Sequence, residues 1–238
     1  MNNSTKLIAA VLCASVLVSS CNTDCIEGSG NQVSQTRTVD PFTRVETSGS
    51  IKIILKQGET SELRIMADDN IQKDIETFVK GGKLVVELDG NFCDAGPITV
   101  FVTSKGYEGI DASGAVEILS DGKLTVNDFE IDLSGSSKVD LDLNAANVST
   151  SSSGASEIAL RGQAGSHALD LSGSSSVDAL DFVVGKYSIE SSGASQSRIN
   201  VLNELIISSS GSSDVEYRGN PSTIKNSESG ASSLRKID

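Results

Sequence analysis

The sequence predicts an all-β chain wound into a parallel β-helix, or solenoid, and three observations carry that expectation. A Ser-Gly-Ala/Ser mark recurs at Gly49, Gly114, Gly135, Gly154, Gly173, Gly193, Gly211 and Gly230. From Gly114 onward the spacings are 21, 19, 19, 20, 18 and 19 residues, so residues 110–238 form a repeat array. Around each Gly the even offsets are apolar: Ile110, Ile131, Leu169, Ile189 and Ile207 stand four residues before it, and Ile118, Val139, Ile158, Val177, Val215 and Leu234 four after. Period two is the signature of strands, with Thr150, Ser197 and Asn226 as exceptions at those offsets.

From the N-terminus, residues 1–20 read as a lipoprotein signal peptide. One positive charge, Lys6, precedes a 12-residue apolar stretch, Leu7 to Val18, that is too short to span a bilayer. Val18-Ser19-Ser20-Cys21 resembles a bacterial lipobox, which makes Cys21 the expected acylated N-terminus and 21–30 a lipidated N-terminal segment. The alternative is an ordinary signal peptide whose cleavage site precedes a Cys. Cys13 would leave with the signal and Cys21 would carry lipid, so Cys25 and Cys93 remain as an expected disulfide in an oxidising compartment, or else as two free thiols.

Residues 31–238 read as one continuous domain, because no Pro-rich linker divides them. Between Gly49 and Gly114 the marks are missing, yet Leu63 to Ala67, Ile75 to Val79, Leu84 to Leu88 and Ile98 to Val102 have strand character, with Lys80-Gly81-Gly82-Lys83 as a hairpin turn. A short helix from Asp69 to Lys80 is the competing reading, disfavoured by Thr77, Phe78 and Val79.

Within the array, the invariant Gly has a structural explanation. Where stacked backbones crowd or a strand bends at a corner, a residue without Cβ fits most easily. The Ser two residues later (Ser137, Ser156, Ser175, Ser195, Ser213, Ser232) is expected to form a hydroxyl ladder. Two further positions alternate. The residue after the Gly runs Ala115, Ser136, Ala155, Ser174, Ala194, Ser212, Ala231; the residue two before it runs Ala112, Leu133, Ser152, Leu171, Ser191. If stacking rewards likeness, one turn contains two 19-residue repeats, with Leu133 over Leu171; one repeat per turn is the alternative. Asp140, Asp178 and Glu216 follow the longer beat at offset +5, 38 residues apart. They form a possible acidic ladder, either an ion-binding row or a solvated face, while Arg198 and Arg235 take that offset in Ala repeats. The single His, His167, falls where other repeats have Phe129, Val148, Tyr187, Leu205 and Ile224, and is expected to fill a core slot.

Composition limits function. Of 238 residues 40 are Ser and 22 Gly, with 37% hydrophobic and 4% aromatic, so the core is thin and an aromatic-lined cofactor pocket is not expected. A net charge of -13 disfavours nucleic acid and anionic lipid as charge partners. No triad, Gly-x-Ser-x-Gly elbow or metal cluster is visible, so no catalytic residue, cofactor or metal is expected.

Gly28-Ser29-Gly30-Asn31, the run Phe42 to Ser50, Ala67-Asp68-Asp69-Asn70-Ile71 and the serial Ser-Gly-Ala-Ser marks together resemble the putative auto-transporter adhesin, head GIN domain family. The resemblance covers nearly all of the mature chain. It implies a right-handed parallel β-helix and a secreted or lipid-anchored protein of the cell envelope, held in the outer membrane on its surface or periplasmic face. It also implies a non-enzymatic, adhesin-like module for a protein or glycan partner, with the membrane bound through the N-terminal lipid. The alternative class is a polysaccharide lyase or glycoside hydrolase, which would need a carboxylate cluster with a basic residue in a cleft.

Overall fold

The computed structural model describes residues 25–238. The signal-peptide and lipobox expectations, Cys21 included, lie outside the described residues. The chain is a β-solenoid of about seven turns. Each marked turn has one strand before the Gly and one after it. The strands before the Gly stack in parallel as sheet A, from Arg44–Gly49 through Gly109–Gly114 and Asp128–Gly135 to Thr223–Gly230. Those after it stack as sheet B, from Lys52–Gln57 and Glu117–Thr125 to Asp214–Arg218 and Ser233–Lys236. At the opposite corner, long strands such as Lys138–Ser152 and Glu157–Leu171 bend from B to A without a break. The apolar even offsets point inward: Val45, Ile110, Ile131, Leu169, Ile189 and Ile207 line the inside of A, and Ile53, Ile118, Val139, Ile158, Val177 and Val215 the inside of B.

The expected two-repeat turn is corrected by the register. Gly114 lies beside Gly135, Leu133 beside Ser152, and Ser152 beside Leu171. Gly154 stacks on Gly135, with Ala155 N–H donating to Gly135 O at 2.9 Å. One repeat therefore makes one turn, and residues 38 apart are two layers apart. The alternation at offset -2 rewards unlikeness instead. Leu133 and Leu171 are buried at the corner between Ala112, Ser152 and Ser191, so each large side chain fills space left by small ones above and below. Nothing in the structure explains the Ala/Ser alternation at offset +1, where the side chains are exposed.

The Ser at +2 does face inward. Ser137, Ser156, Ser175, Ser195 and Ser213 are buried, and they join the small -2 residues in a hydroxyl seam. Ser152 Oγ lies 2.9 Å from Ser175 Oγ, and Ser191 Oγ 2.7 Å from both Ser195 Oγ and Ser213 Oγ. Buried hydroxyls need partners, and at these turns they supply one another, whereas Ser156 Oγ has none among the described residues. The glycine requirement is equally direct. Gly114 and Gly135 have φ of 95° and 98°, and a Cβ on Gly154 or Gly173 would collide with the backbone oxygen of the Gly one turn earlier.

His167 occupies the expected core slot, stacked between Val148 and Tyr187 and 1% exposed. Its Nε2 lies 3.0 Å from Thr150 Oγ1, and its ring meets Tyr187 and Phe182 at centroid distances of 5.2 and 5.8 Å. Two breaks in the apolar pattern thus meet, Thr150 satisfying one ring nitrogen of His167 while Nδ1 has no hydrogen-bond partner among the described residues. Burial pushes the imidazole pKa down to about 3.

The unmarked region packs against the array's first end. Strands Lys83–Leu88 and Thr99–Ser104 run parallel to Arg44–Gly49 and Lys52–Gln57, adding an unmarked layer beneath the first marked turn although they follow it in sequence. Antiparallel strands then close this end: Glu62–Asp68 on Thr99–Ser104, Gln32–Thr38 on Glu62–Asp68, and Ile75–Lys80 on Lys83–Leu88 through the expected hairpin turn. The competing helix is reduced to a 3-10 turn at Gln72–Asp74. Cys25 and Cys93 are disulfide-bonded, with Cα atoms 5.4 Å apart. Among the described residues the last turn has no such cover. Its inner positions Ile224, Asn226 and Glu228 are exposed, and inward-facing polar groups there discourage edge-to-edge pairing.

Candidate binding face

The outer side of sheet A is built by the odd offsets before the Gly. A Ser stands at -1 in every marked turn, from Ser48 to Ser229. At -3 the register stacks Glu46, Asp111, Asp132, Ser151, Asp170 and Glu190 in one column, with Ser208 and Ser227 continuing it. Strand alternation sends both columns to solvent, one interstrand step of about 4.8 Å per turn. Over them lies a hollow of about 580 Å³ lined by Glu46, Lys83, Asp111, Asp132, Asp170 and serines of the -1 column. An adjoining hollow of about 270 Å³ shares Asp170 and continues past Glu190 to Ser208 and Ser227.

The two ends of this face differ in charge pairing. Near the cap, Lys83 Nζ lies 2.5 Å from Asp111 and 3.0 Å from Glu46, and Arg44 lies 3.0 Å from Asp111 and 2.6 Å from Glu130. Partial burial pushes the Asp111 carboxyl up, but Lys83 and Arg44 outweigh it and hold the pKa below the usual range. Asp132 is raised by desolvation and by its neighbours Glu130 and Asp111, against the more distant Arg44. Farther along, Asp170 and Glu190 make no ion pair among the described residues. Hydroxyls and free carboxylates together can accept and donate to a polyhydroxylated or amide-bearing partner.

The anticipated acidic ladder on the other face is corrected. Asp140, Asp178 and Glu216 belong to a sheet B column that reads Asp140, Ala159, Asp178, Arg198, Glu216, Arg235. Arg198 lies 3.2 Å from Asp178 and 3.5 Å from Glu216, Arg235 pairs with Glu216, and Arg161 sits 2.6 Å from Asp140. With one repeat per turn the alternation in sign becomes vertical attraction. Among the described residues no group of three His, Cys, Asp or Glu is placed to hold a metal ion. The -3 column was missed, although aligning the sequence on the Gly marks exposes it at an odd offset just as it exposes +5.

A larger hollow, about 940 Å³, lies at the corner opposite the glycines, but most of its polar side chains are already engaged. Asn147 Nδ2 donates to Asp128 at 2.7 Å, Ser166 Oγ to Asn147 Oδ1 at 2.8 Å, and Gln57 bonds to Lys105 O and to both backbone groups of Thr125. At the cap, the two motifs that preceded the repeats in the family resemblance meet. Gly30 N–H donates to Asp68 at 2.7 Å, Ser29 N–H to Asn70 Oδ1 at 2.9 Å, and Asn31 Nδ2 to Asp69 at 2.9 Å. Their role is to clamp the N-terminal strand.

The family model of the putative auto-transporter adhesin, head GIN domain, matches residues 41–221, which takes in the unmarked layer, every glycine mark but the last and the whole acidic part of face A. The chain belongs to that family. The family's description is that of an auto-transporter type of adhesin, a cell-surface or envelope class. Solved structures share the fold. A putative adhesin from Bacteroides fragilis superposes with a TM-score of 0.84 at 20% identity, covering 89% of this chain and 100% of its own. A putative adhesin from Parabacteroides distasonis gives 0.74 at 17%, covering 90% and 100%. A putative lipid binding protein from the same species gives 0.64 at 18%, covering 90% and 99%. No curated protein matches the chain.

Proposed function

We propose that the protein is a non-catalytic, lipid-anchored module of the cell envelope that presents the outer side of sheet A to a glycan or protein partner. The observation that carries this reading is the continuity of that face. Serine hydroxyls and carboxylates repeat in register across successive turns under two adjoining hollows, and Asp170 and Glu190 meet no cation among the described residues. Membership of an adhesin-type family supports it. Anchoring rests on the lipobox-like Val18-Ser19-Ser20-Cys21, and outer-membrane placement on the family resemblance. A glycan and protein array probed with the soluble domain tests the binding claim: hits should weaken on Asp170→Ala and Glu190→Ala and survive Asp178→Ala on the opposite face. Hits that ignore the first pair would overturn the assignment of the face.

One observation favours the enzymatic alternative. Asp111 and Asp132 are neighbours in a hollow that also holds Lys83, the carboxylate-plus-base arrangement a lyase or hydrolase needs. It ranks second because Lys83 and Arg44 tie up Asp111, and the lining contains no aromatic platform for a sugar ring. A panel of polyuronates, plant glycans and host glycans should stay at background. Turnover abolished by Asp132→Asn would promote the alternative.

A further inference from the structure

The outward column of sheet B changes character at the capped end. Along the array it is charged or small, from Asp140 through Ala159 and Asp178 to Arg235. Followed the other way, across the first marked turn and onto the cap, the register continues it as Leu119, Ile54, Phe101 and Arg64. Their chain neighbours Ile118, Ile53, Val100 and Leu63 fill the core, so strand alternation turns these four outward, where all are partly exposed. Three large apolar side chains thus stand on adjacent strands of an outer face, and contiguous apolar surface of this kind marks a contact. Arg64 rests on the end of the stripe, its Cζ 3.6 Å from the centre of the Phe101 ring.

The order of the column says what covers it. Read from the cap it runs cation, ring, isoleucine, leucine, anion, and reversing it exchanges only the charges and the two outer apolar groups. A second copy, related by a two-fold axis along the strands through Ile54, therefore sets Ile54 on its equivalent, Phe101 on the partner subunit's Leu119, and Arg64 opposite the partner subunit's Asp140. The flanks repeat the symmetry. Lys52 lies 3.1 Å from Glu117 and Lys56 3.1 Å from Asp121, each lysine level with Ile54 and each acid one strand away. After the reversal each lysine falls between its own carboxylate and the equivalent one of the partner. The overlap runs from Gln32–Thr38 to Glu157–Leu171. With three outward columns on these strands it covers roughly 700 Å² per protomer, about 1,400 Å² in all, within the range of specific interfaces.

We propose that the protein forms a back-to-back dimer through the capped part of sheet B, with Phe101, Ile54 and Leu119 of the two protomers meeting across the two-fold and face A open on both. The inference is independent of what face A binds. The soluble domain, which is the whole described fold, should sediment at equilibrium as a dimer that dissociates on dilution, and Ile54→Lys should make it a monomer. Arg64→Asp and Asp140→Arg each set like charges across the interface, twice by symmetry, and each should weaken association at least about tenfold. Mixed together, these two variants should form a heterodimer, because their exchanged charges then face each other. That rescue also shows that both variants fold. A monomer at every concentration would overturn the dimer and leave the stripe to a partner of other chemistry. A dimer indifferent to Ile54→Lys would overturn the placement of the contact, and single variants that stay apart when mixed would overturn its register. The unsubstituted protein gives a check free of any substitution: hydroxyl-radical labelling of Phe101 and Met66 should fall as concentration rises. Labelling of Phe78, which the register places on face A through Val85 and Glu46, should not. Unchanged labelling at Phe101 and Met66 would contradict the proposal.

Discussion

The two outer faces of the solenoid carry the same chemistry and use it differently. On sheet B, Asp140, Asp178 and Glu216 are each met by an arginine from a neighbouring turn. On sheet A, Asp170 and Glu190 stack in an equally regular column and meet none among the described residues. Regular spacing alone therefore says little about function, because a carboxylate ladder is spent or unspent according to what the adjacent layer places beside it. Inside, the faces differ as well: the column four residues after the Gly behind sheet B is aliphatic with Ser197 as a break, whereas behind sheet A one column holds His167 and the neighbouring column Thr150.

That interior difference gives the largest expected effect. The folded protein holds His167 neutral with a pKa of about 3, against about 6.5 for a free imidazole, so between those values the unfolded chain binds the extra proton. The contribution is complete above pH 6.5 and is lost as pH falls towards 3, on the order of 5 kcal/mol when fully developed. Denaturant titrations across that range should show the loss, and His167→Val should flatten the part due to this residue. An unchanged slope would mean that His167 is not buried behind sheet A.

The corner shared by both faces ranks next. Gly154→Ala sets a methyl against the backbone of Gly135 and should destabilise by about 3 kcal/mol, since neither backbone can yield without breaking the stack. Gly81→Ala, at the hairpin tip with φ of 60° and open space around it, should cost only about 1 kcal/mol. Chemical denaturation of the two variants separates crowding from conformational strain, and equal losses would contradict the close stacking of successive turns.

How far the sequence reveals each region follows from where its determinants lie. The strands, the glycine corner, the 80–83 turn and the Cys25–Cys93 pair are legible because period two, turn residues and cysteine count are local or countable. The number of repeats per turn is not, because Leu133 and Leu171 fit like-on-like stacking and large-on-small filling equally well until the register is known. The unmarked layer is hidden for a different reason: Lys83–Leu88 lies beneath a turn that precedes it in the chain, and no pattern of spacing encodes that reversal. Face A was visible in principle, since its column needs only the same alignment read at an odd offset.

A smaller effect separates the faces by stability alone. Arg198→Glu places like charges on three adjacent strands of sheet B, at 178, 198 and 216, and should cost about 1 kcal/mol, less at high salt. Asp170→Lys on sheet A, which breaks no ion pair and relieves repulsion from Glu190, should leave the melting temperature within error or raise it. Equal destabilisation by both would show that the acids of face A are structural after all.

The central claim is that face A, and not face B, meets the partner. Asp170→Lys with Glu190→Lys and, separately, Asp140→Lys with Asp178→Lys should be compared by affinity for whichever array ligand the unsubstituted domain binds, after each pair is shown to fold. A loss of at least about tenfold, roughly 1.4 kcal/mol, for the first pair with retention by the second is the expected result. Retention by the first pair, or equal loss by both, would contradict it.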